Sequence, residues 1–204
     1  MKFDRTPARK TIEAALAAVR SRGVKAELVP DRAAALARLV DLIPPGSSVM
    51  MGASVTLEQI GFVDLIIAGS HNWINLRGNL LAEPEPARQA EMRRQATLAE
   101  FFLGSVHAIT VSGQLVTASA TGSQLPGYAF SSPNVIWVAG AQKIVPGFDG
   151  ALARIREYVM PLEDARMKST GAAGTALGKM LIFERETNPW RQVRLILVDE
   201  VLGY

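Results

Sequence analysis

The sequence predicts an α/β fold, a mostly parallel sheet flanked by helices on both faces. Three observations predict it. Apolar stripes at helical spacing alternate along the chain with short apolar runs of strand length. The run Val135 to Ala139 is apolar throughout, as expected of a strand covered on both faces of a parallel sheet. The run Ser48 to Met51 passes straight into Gly52, Ala53 and Ser54 and then a helical segment, the order in which open α/β sheets present ligand sites. With 204 residues, 49% hydrophobic and 20% charged, the chain can bury one sizeable core or at most two small ones, and it is read as a single domain over 1–204.

Taken in order, Ile12, Ala15, Leu16 and Val19 share one helical face, which Gly23 ends. Val24 to Val29 follows as a strand. Asp31 then caps a second helix carrying Leu36, Leu39, Val40 and Ile43, stopped by Pro44 and Pro45. After the strand Ser48 to Met51, Thr56 to Gly61 reads as helix and Asn72 to Leu76 as a further strand. Pro84 to Leu103 is expected to be one long helix with Met92, Ala96, Ala99 and Leu103 on its buried stripe. His107 to Val111 and Gln114 to Ala118 flank Ser112-Gly113, a two-residue hairpin turn. Beyond Val135 to Ala139, a stripe of Phe148, Leu152, Ile155 and Val159 predicts a helix closed near Pro161. The small-residue run Ser169 to Gly178 predicts a mobile loop, and Leu181 to Glu184 and Val193 to Val198 are the last strands.

Composition excludes several classes of function. The 22 basic residues exceed the 19 acidic ones by only three, and Arg88, Arg93 and Arg94 are interleaved with Glu85, Glu91 and Glu100, a solvated helix face rather than a nucleic-acid stripe. No cysteine is present, which removes disulfides, thiolate nucleophiles and cysteine-ligated clusters; with only His71 and His107, no metal site is expected. The longest apolar stretch, Phe62 to Ala68, is broken by Asp64 and is too short to span a bilayer. The charged start of the chain does not read as a secretory signal, so a cytoplasmic location is expected.

Two segments have the composition of an anion site. In the first, Gly52, Ser54 and Thr56 precede Glu58, which is the one carboxylate placed for acid–base or acyl-transfer work; taken alone, the same residues read first as a plain N-cap with a capping box. In the second, Thr121, Gly122 and Ser123 follow the hairpin, where hydroxyls and amides could cradle an anion or simply form a turn. Lys143 follows the central strand and is expected to lie exposed as the single positive charge of the cleft, so that Lys143→Ala leaves the unliganded melting point nearly unchanged. The three segments are expected to meet at the carboxyl edge of the sheet. No nucleophile, base and orienting group stand together in the sequence, and nothing in it names a cofactor.

Three segments taken together carry a resemblance: Gly-Ala-Ser-Val-Thr-Leu-Glu-Gln-Ile-Gly at 52–61, Ala-Ile-Thr-Val-Ser-Gly-Gln-Leu-Val at 108–116, and Val-Ala-Gly-Ala-Gln-Lys-Ile-Val at 138–145. With the helix through Arg156, Pro161 and Arg166 and the close Leu195 to Tyr204, the chain resembles the LUD-domain family of lactate-utilisation proteins over most of its length. The resemblance implies a fold like that of sugar-phosphate isomerases, CoA transferases and formyltetrahydrofolate cyclo-ligase. It also implies a part in oxidising L-lactate to pyruvate beside iron–sulfur partner subunits, with a small carboxylate or phosphate-bearing ligand; self-association into a homo-oligomer is left open. Gly52, Ser54, Thr56, Leu57, Glu58, Gly61, Thr121, Gly122, Gly140 and Lys143 match the family's motif positions. The chain departs from it at Ser119 to Gln124, where relatives tend to carry an aspartate, an asparagine and an arginine, and in lacking the cysteine-rich segment many of them have. A non-catalytic interaction subunit, or a diverged paralogue, docking a redox partner is the alternative.

Overall fold

The computed structural model describes residues 3–204 and places ten strands in two sheets. The chain runs α1 (Arg9–Arg20), β1 (Lys25–Val29), α2 (Arg32–Asp41), β2 (Ser48–Met51), α3 (Val55–Gln59), α4 (Phe62–Ile67), β3 (Ile74–Asn75), α5 (Leu76–Ala82) and α6 (Pro86–Gln95). It continues through β4 (Phe101–Gly104), β5 (Ala108–Thr110), β6 (Leu115–Ser119), β7 (Asn134–Gly140), β8 (Ile144–Val145), α7 (Phe148–Arg154), α8 (Met160–Ser169), β9 (Lys179–Phe183) and β10 (Gln192–Val198). The larger sheet, in the order β1-β10-β7-β4-β2-β3, is parallel at every pairing.

Side chains along these strands alternate between two cores, as the two-residue period of a strand requires. Val49, Met51, Phe101, Leu103, Ile136, Val138, Ile196 and Val198 face the apolar side of α2, α3 and α4. Met50, Phe102, Val135, Trp137, Val193 and Leu195 face the other way, against Ile12, Leu16 and Val19 of α1 and against Ile109, Leu115 and Phe183 of the smaller sheet. That sheet, β8-β5-β6-β9, therefore shares the second face of the large one with α1. Its own outer face, Ala108, Val116 and Ala118, rests on Ala151 and Ile155 of the helix that follows.

The hairpin forms as β5 and β6, paired antiparallel, and Val135 to Ala139 lies inside β7 between β10 and β4. At the hairpin turn Gly113 has φ +92° and sits so close to α1 that a Cβ would lie 2.5 Å from a carbonyl carbon of Ala18. Only glycine fits there.

Two expected elements need correction. The long helix expected over Pro84 to Leu103 ends at Gln95, passes through a 3₁₀ turn at Ala96–Leu98, and gives way to β4, an inner strand. Phe101 to Leu103 is a short apolar run whose Leu103 happens to continue a helical stripe, and such runs suit a buried strand equally well. Pro161 does not close the preceding helix. A π turn at Ile155–Val159 carries α7 into α8, with Pro161 in the first turn of α8, where a missing N–H and a fixed φ are tolerated. Residues 173–178 have no regular structure. No described helix is long and apolar enough to cross a membrane.

Candidate functional site

A cavity of about 390 Å³ opens where the strand ends of the large sheet meet the mouth of the small one. Gly52 to Thr56 enter it directly from β2, Ser105 and His107 from β4, and Thr121 and Ser123 from β6. Lys143 follows β7, and Tyr204 lies beyond β10. Loops after the carboxyl ends of parallel strands are where α/β sheets place ligands. The loops after β2 and β6 touch: a Cβ on Gly52 would lie 2.4 Å from Gln124 Oε1.

Of the residues singled out in the sequence, Gly52, Ser54, Thr56, Thr121, Ser123 and Lys143 line this one cavity. Gly122 is absent from its lining. It holds the turn with φ +83° and donates its N–H to Ser119 Oγ at 3.0 Å. Glu58 is exposed and also outside the lining. Ser54 acts as the N-cap of α3, its Oγ accepting from Leu57 N–H at 3.3 Å. That cap turns Thr56 and Leu57 inward, so Glu58, about 100° further round the helix, faces out.

Lys143 departs most from expectation. It is only 2% exposed, not a surface residue. Its Nζ donates to Thr56 Oγ1 and to Ser105 Oγ, both at 3.0 Å, and no carboxylate pairs with it. Burial, reinforced by the positive charge of Arg154, holds its pKa well below the usual lysine value. What buries it is the end of the chain. Gln142 Nε2 donates to the carbonyls of Leu202 and Gly203, and Gly203, at φ +60°, packs so that a Cβ would lie 2.3 Å from Thr56 Oγ1.

The fixed cations of the cavity are arginines. Arg77 is half-buried, donates to Met51 O at 3.2 Å, and has its pKa lowered chiefly by burial, then by Arg93 and Arg166, with Glu58 opposing. Arg166 holds Glu163 through two bonds of 2.7 Å, and Tyr204 Oη donates to the same carboxylate. Burial works against the Glu163 charge, but these bonds outweigh it and keep the carboxyl below its usual range. Glu163, the one acidic side chain among the described residues of the lining, is thus neutralised, while Arg77 and Arg93 are left without an acidic side chain inside the cavity. No group of three or more described His, Cys, Asp or Glu residues is placed to hold a metal.

Residues 12–192 match the family described as the LUD domain. This chain is a LUD-domain protein. Its fold is similar to that of a DUF162 family protein from Deinococcus radiodurans, with a TM-score of 0.57 at 10% identity, over 94% of this chain and 99% of that one. No curated protein matches it.

Arg77, Ser105, Glu163, Arg166 and Tyr204 of this LUD domain carry no local sequence signal of a site. Arg166 and Tyr204 stand in segments that carried the family resemblance, which was the one available signal. His107 Nδ1 accepts from Ala118 N–H at 2.9 Å, so the proton of the neutral ring sits on Nε2, within a residue that lines the cavity. Burial, with Lys143 and Arg154 next, lowers its pKa from 6.5 to about 3. Below pH 6.5 the unfolded chain takes up a proton that the folded chain refuses, so folding weakens as pH falls from 6.5 towards 3. In His107→Asn the amide oxygen can accept from Ala118. Chemical denaturation across that pH range should show the wild type losing stability relative to this variant; parallel profiles would contradict the half-buried neutral imidazole.

Proposed function

We propose that the cavity binds a small organic anion, a carboxylate or a phosphate-bearing compound, and that the protein serves organic-acid oxidation of the lactate-to-pyruvate kind in the cytoplasm. The observation that carries the reading is the charge balance of the lining: half-buried Arg77, with exposed Arg93 at the surface, borders a space whose one acidic side chain is already paired with Arg166. A charge held in a partly dry site favours an opposite charge more strongly than the same charge in water does. Gly52, Ser54, Thr56, Thr121, Ser123 and Ser105 add small side chains and hydroxyls suited to a polar ligand. Gly122 supports the turn that presents two of them, and Glu58 is given only an outer electrostatic influence on Arg77.

Thermal unfolding against phosphate, lactate, pyruvate, CoA esters and sugar phosphates tests it. A ligand at 100 times its Kd should stabilise the wild type by about 2.7 kcal/mol. Arg77→Met should lower the affinity at least ~10-fold, since hydrogen bonds to charged groups contribute about 1.5–3 kcal/mol. If none of these anions moves the transition, the reading is wrong. A second reading, a non-catalytic subunit docking an iron–sulfur partner, draws support from exposed Leu98, Phe130 and Trp190. Bonds from Ser131 to Thr97 O and from Arg191 to Ala129 O bring their segments side by side.

A further inference from the structure

We propose that Lys143 Nζ is a nucleophilic amine that captures the carbonyl carbon of an anionic oxo compound as an imine, using the cavity whose anion-binding reading this inference rests on. A lysine at 2% exposure among hydroxyls, with no carboxylate partner, weakens the fold in which it sits, so its place has to be sought in chemistry. Its surroundings suit a neutral amine. An ammonium has three N–H donors, whereas two acceptors, Thr56 Oγ1 and Ser105 Oγ, stand at 3.0 Å. With two N–H bonds used on them, the remaining direction of nitrogen carries the lone pair. The lowering of its basicity by burial agrees with this count.

The chemistry closes on groups already present. The Nζ lone pair forms a C–N bond as the carbonyl π pair moves to oxygen, and one amine proton passes to that oxygen to give a carbinolamine. The nitrogen lone pair then forms C=N while the C–O bond breaks, and the second amine proton leaves with the oxygen as water. Both protons begin on hydrogen bonds to Thr56 and Ser105, whose hydroxyls also contact each other at 3.2 Å and can relay them. No electrons are gained or lost. Arg77 and Arg93 supply the charge that holds the anionic end of the compound, which leaves Lys143 free of that duty.

Reductive trapping with cyanoborohydride tests this on the full-length protein at neutral pH, with glyoxylate as the carboxylate probe, glycolaldehyde phosphate as the phosphate probe and glycolaldehyde as the uncharged control. An exposed lysine is neutral in only about one molecule in a few thousand at pH 7. Peptide mapping should therefore find Lys143 modified at least ~10-fold faster than exposed Lys10, Lys25, Lys168 and Lys179. Inorganic phosphate should slow it, and the adduct at that position should be lost in Lys143→Met. The faster of the two anionic probes identifies the anionic group preferred. Labelling of the exposed lysines alone, or of Lys143 at their rate, would overturn the proposal. Equal rates with glycolaldehyde and the anionic probes would overturn the requirement for an anion. A phosphate-induced melting shift that persists without trapping leaves the anion reading standing and removes this one; absence of both removes both.

Discussion

Replacing Arg191 with methionine should cost about 3–5 kcal/mol of folding stability, the range for removing one partner of a buried, hydrogen-bonded ion pair. Arg191 is 7% exposed and each of its guanidinium nitrogens is engaged. Nε donates to Ser132 O, Nη1 to Ala129 O and to Glu186 at 2.7 Å, and Nη2 to the carbonyls of Gly127 and Tyr128. Four of these acceptors belong to the π turn at Gly127–Ser131 and its end, where the widened helix leaves carbonyls without ladder partners. Methionine fills a similar volume but would leave those oxygens and the Glu186 carboxylate buried and unpaired. Lysine keeps the charge but lacks the planar fork, so Arg191→Lys should recover only part of the loss. Urea denaturation checks both, through a lower midpoint at unchanged slope. A loss below ~1 kcal/mol for Arg191→Met would show that water replaces the arginine.

The elements legible in the sequence were those whose signal is local. The stripe of Ile12, Ala15, Leu16 and Val19 and the unbroken apolar run of β7 each state their burial within a few residues, and Ser112-Gly113 states its turn in two. β4 was hidden because its four residues carry no period long enough to separate strand from helix, and its parallel partners β2 and β7 are remote in sequence. The same distinction runs through the candidate site. Gly52 and Thr121 were visible as small polar turns after strands. Arg77 and Glu163 owe their placement to helices that approach from other parts of the fold, and Glu58 has site-like neighbours in sequence while helix rotation turns it away. The burial of Lys143 depends on Leu202 and Gly203, some 60 residues later, folding back onto Gln142. Nothing near position 143 in the sequence announces that contact.

Lys143→Met should raise the stability of the unliganded protein near neutral pH, the opposite of what an exposed lysine would give. The methionine chain can follow the same path through the core, and the hydroxyls it leaves have partners in each other: Thr56 Oγ1 reaches Ser105 Oγ at 3.2 Å, and Ser105 Oγ donates to Val106 O at 3.3 Å. No polar group is stranded, so the usual cost of deleting a buried hydrogen-bonding side chain is largely avoided. What disappears is the cost of holding lysine in a site that disfavours its proton. The sign of the pH dependence follows from that. The folded pKa of Lys143 lies well below the unfolded value near 10.4, so between the two the unfolded wild type binds one proton more than the folded form, and its stability rises with pH. One proton contributes at most about 1.4 kcal/mol per pH unit. The variant has no such group. The stability advantage of Lys143→Met should therefore be present at neutral pH and shrink towards pH 10.4, a difference between two chains in which titrations common to both cancel. Denaturation of wild type and variant between pH 6 and 10.5 measures it directly. An advantage that does not change with pH would mean that Lys143 keeps its proton in the folded state, and would also remove the basis for a nucleophilic amine.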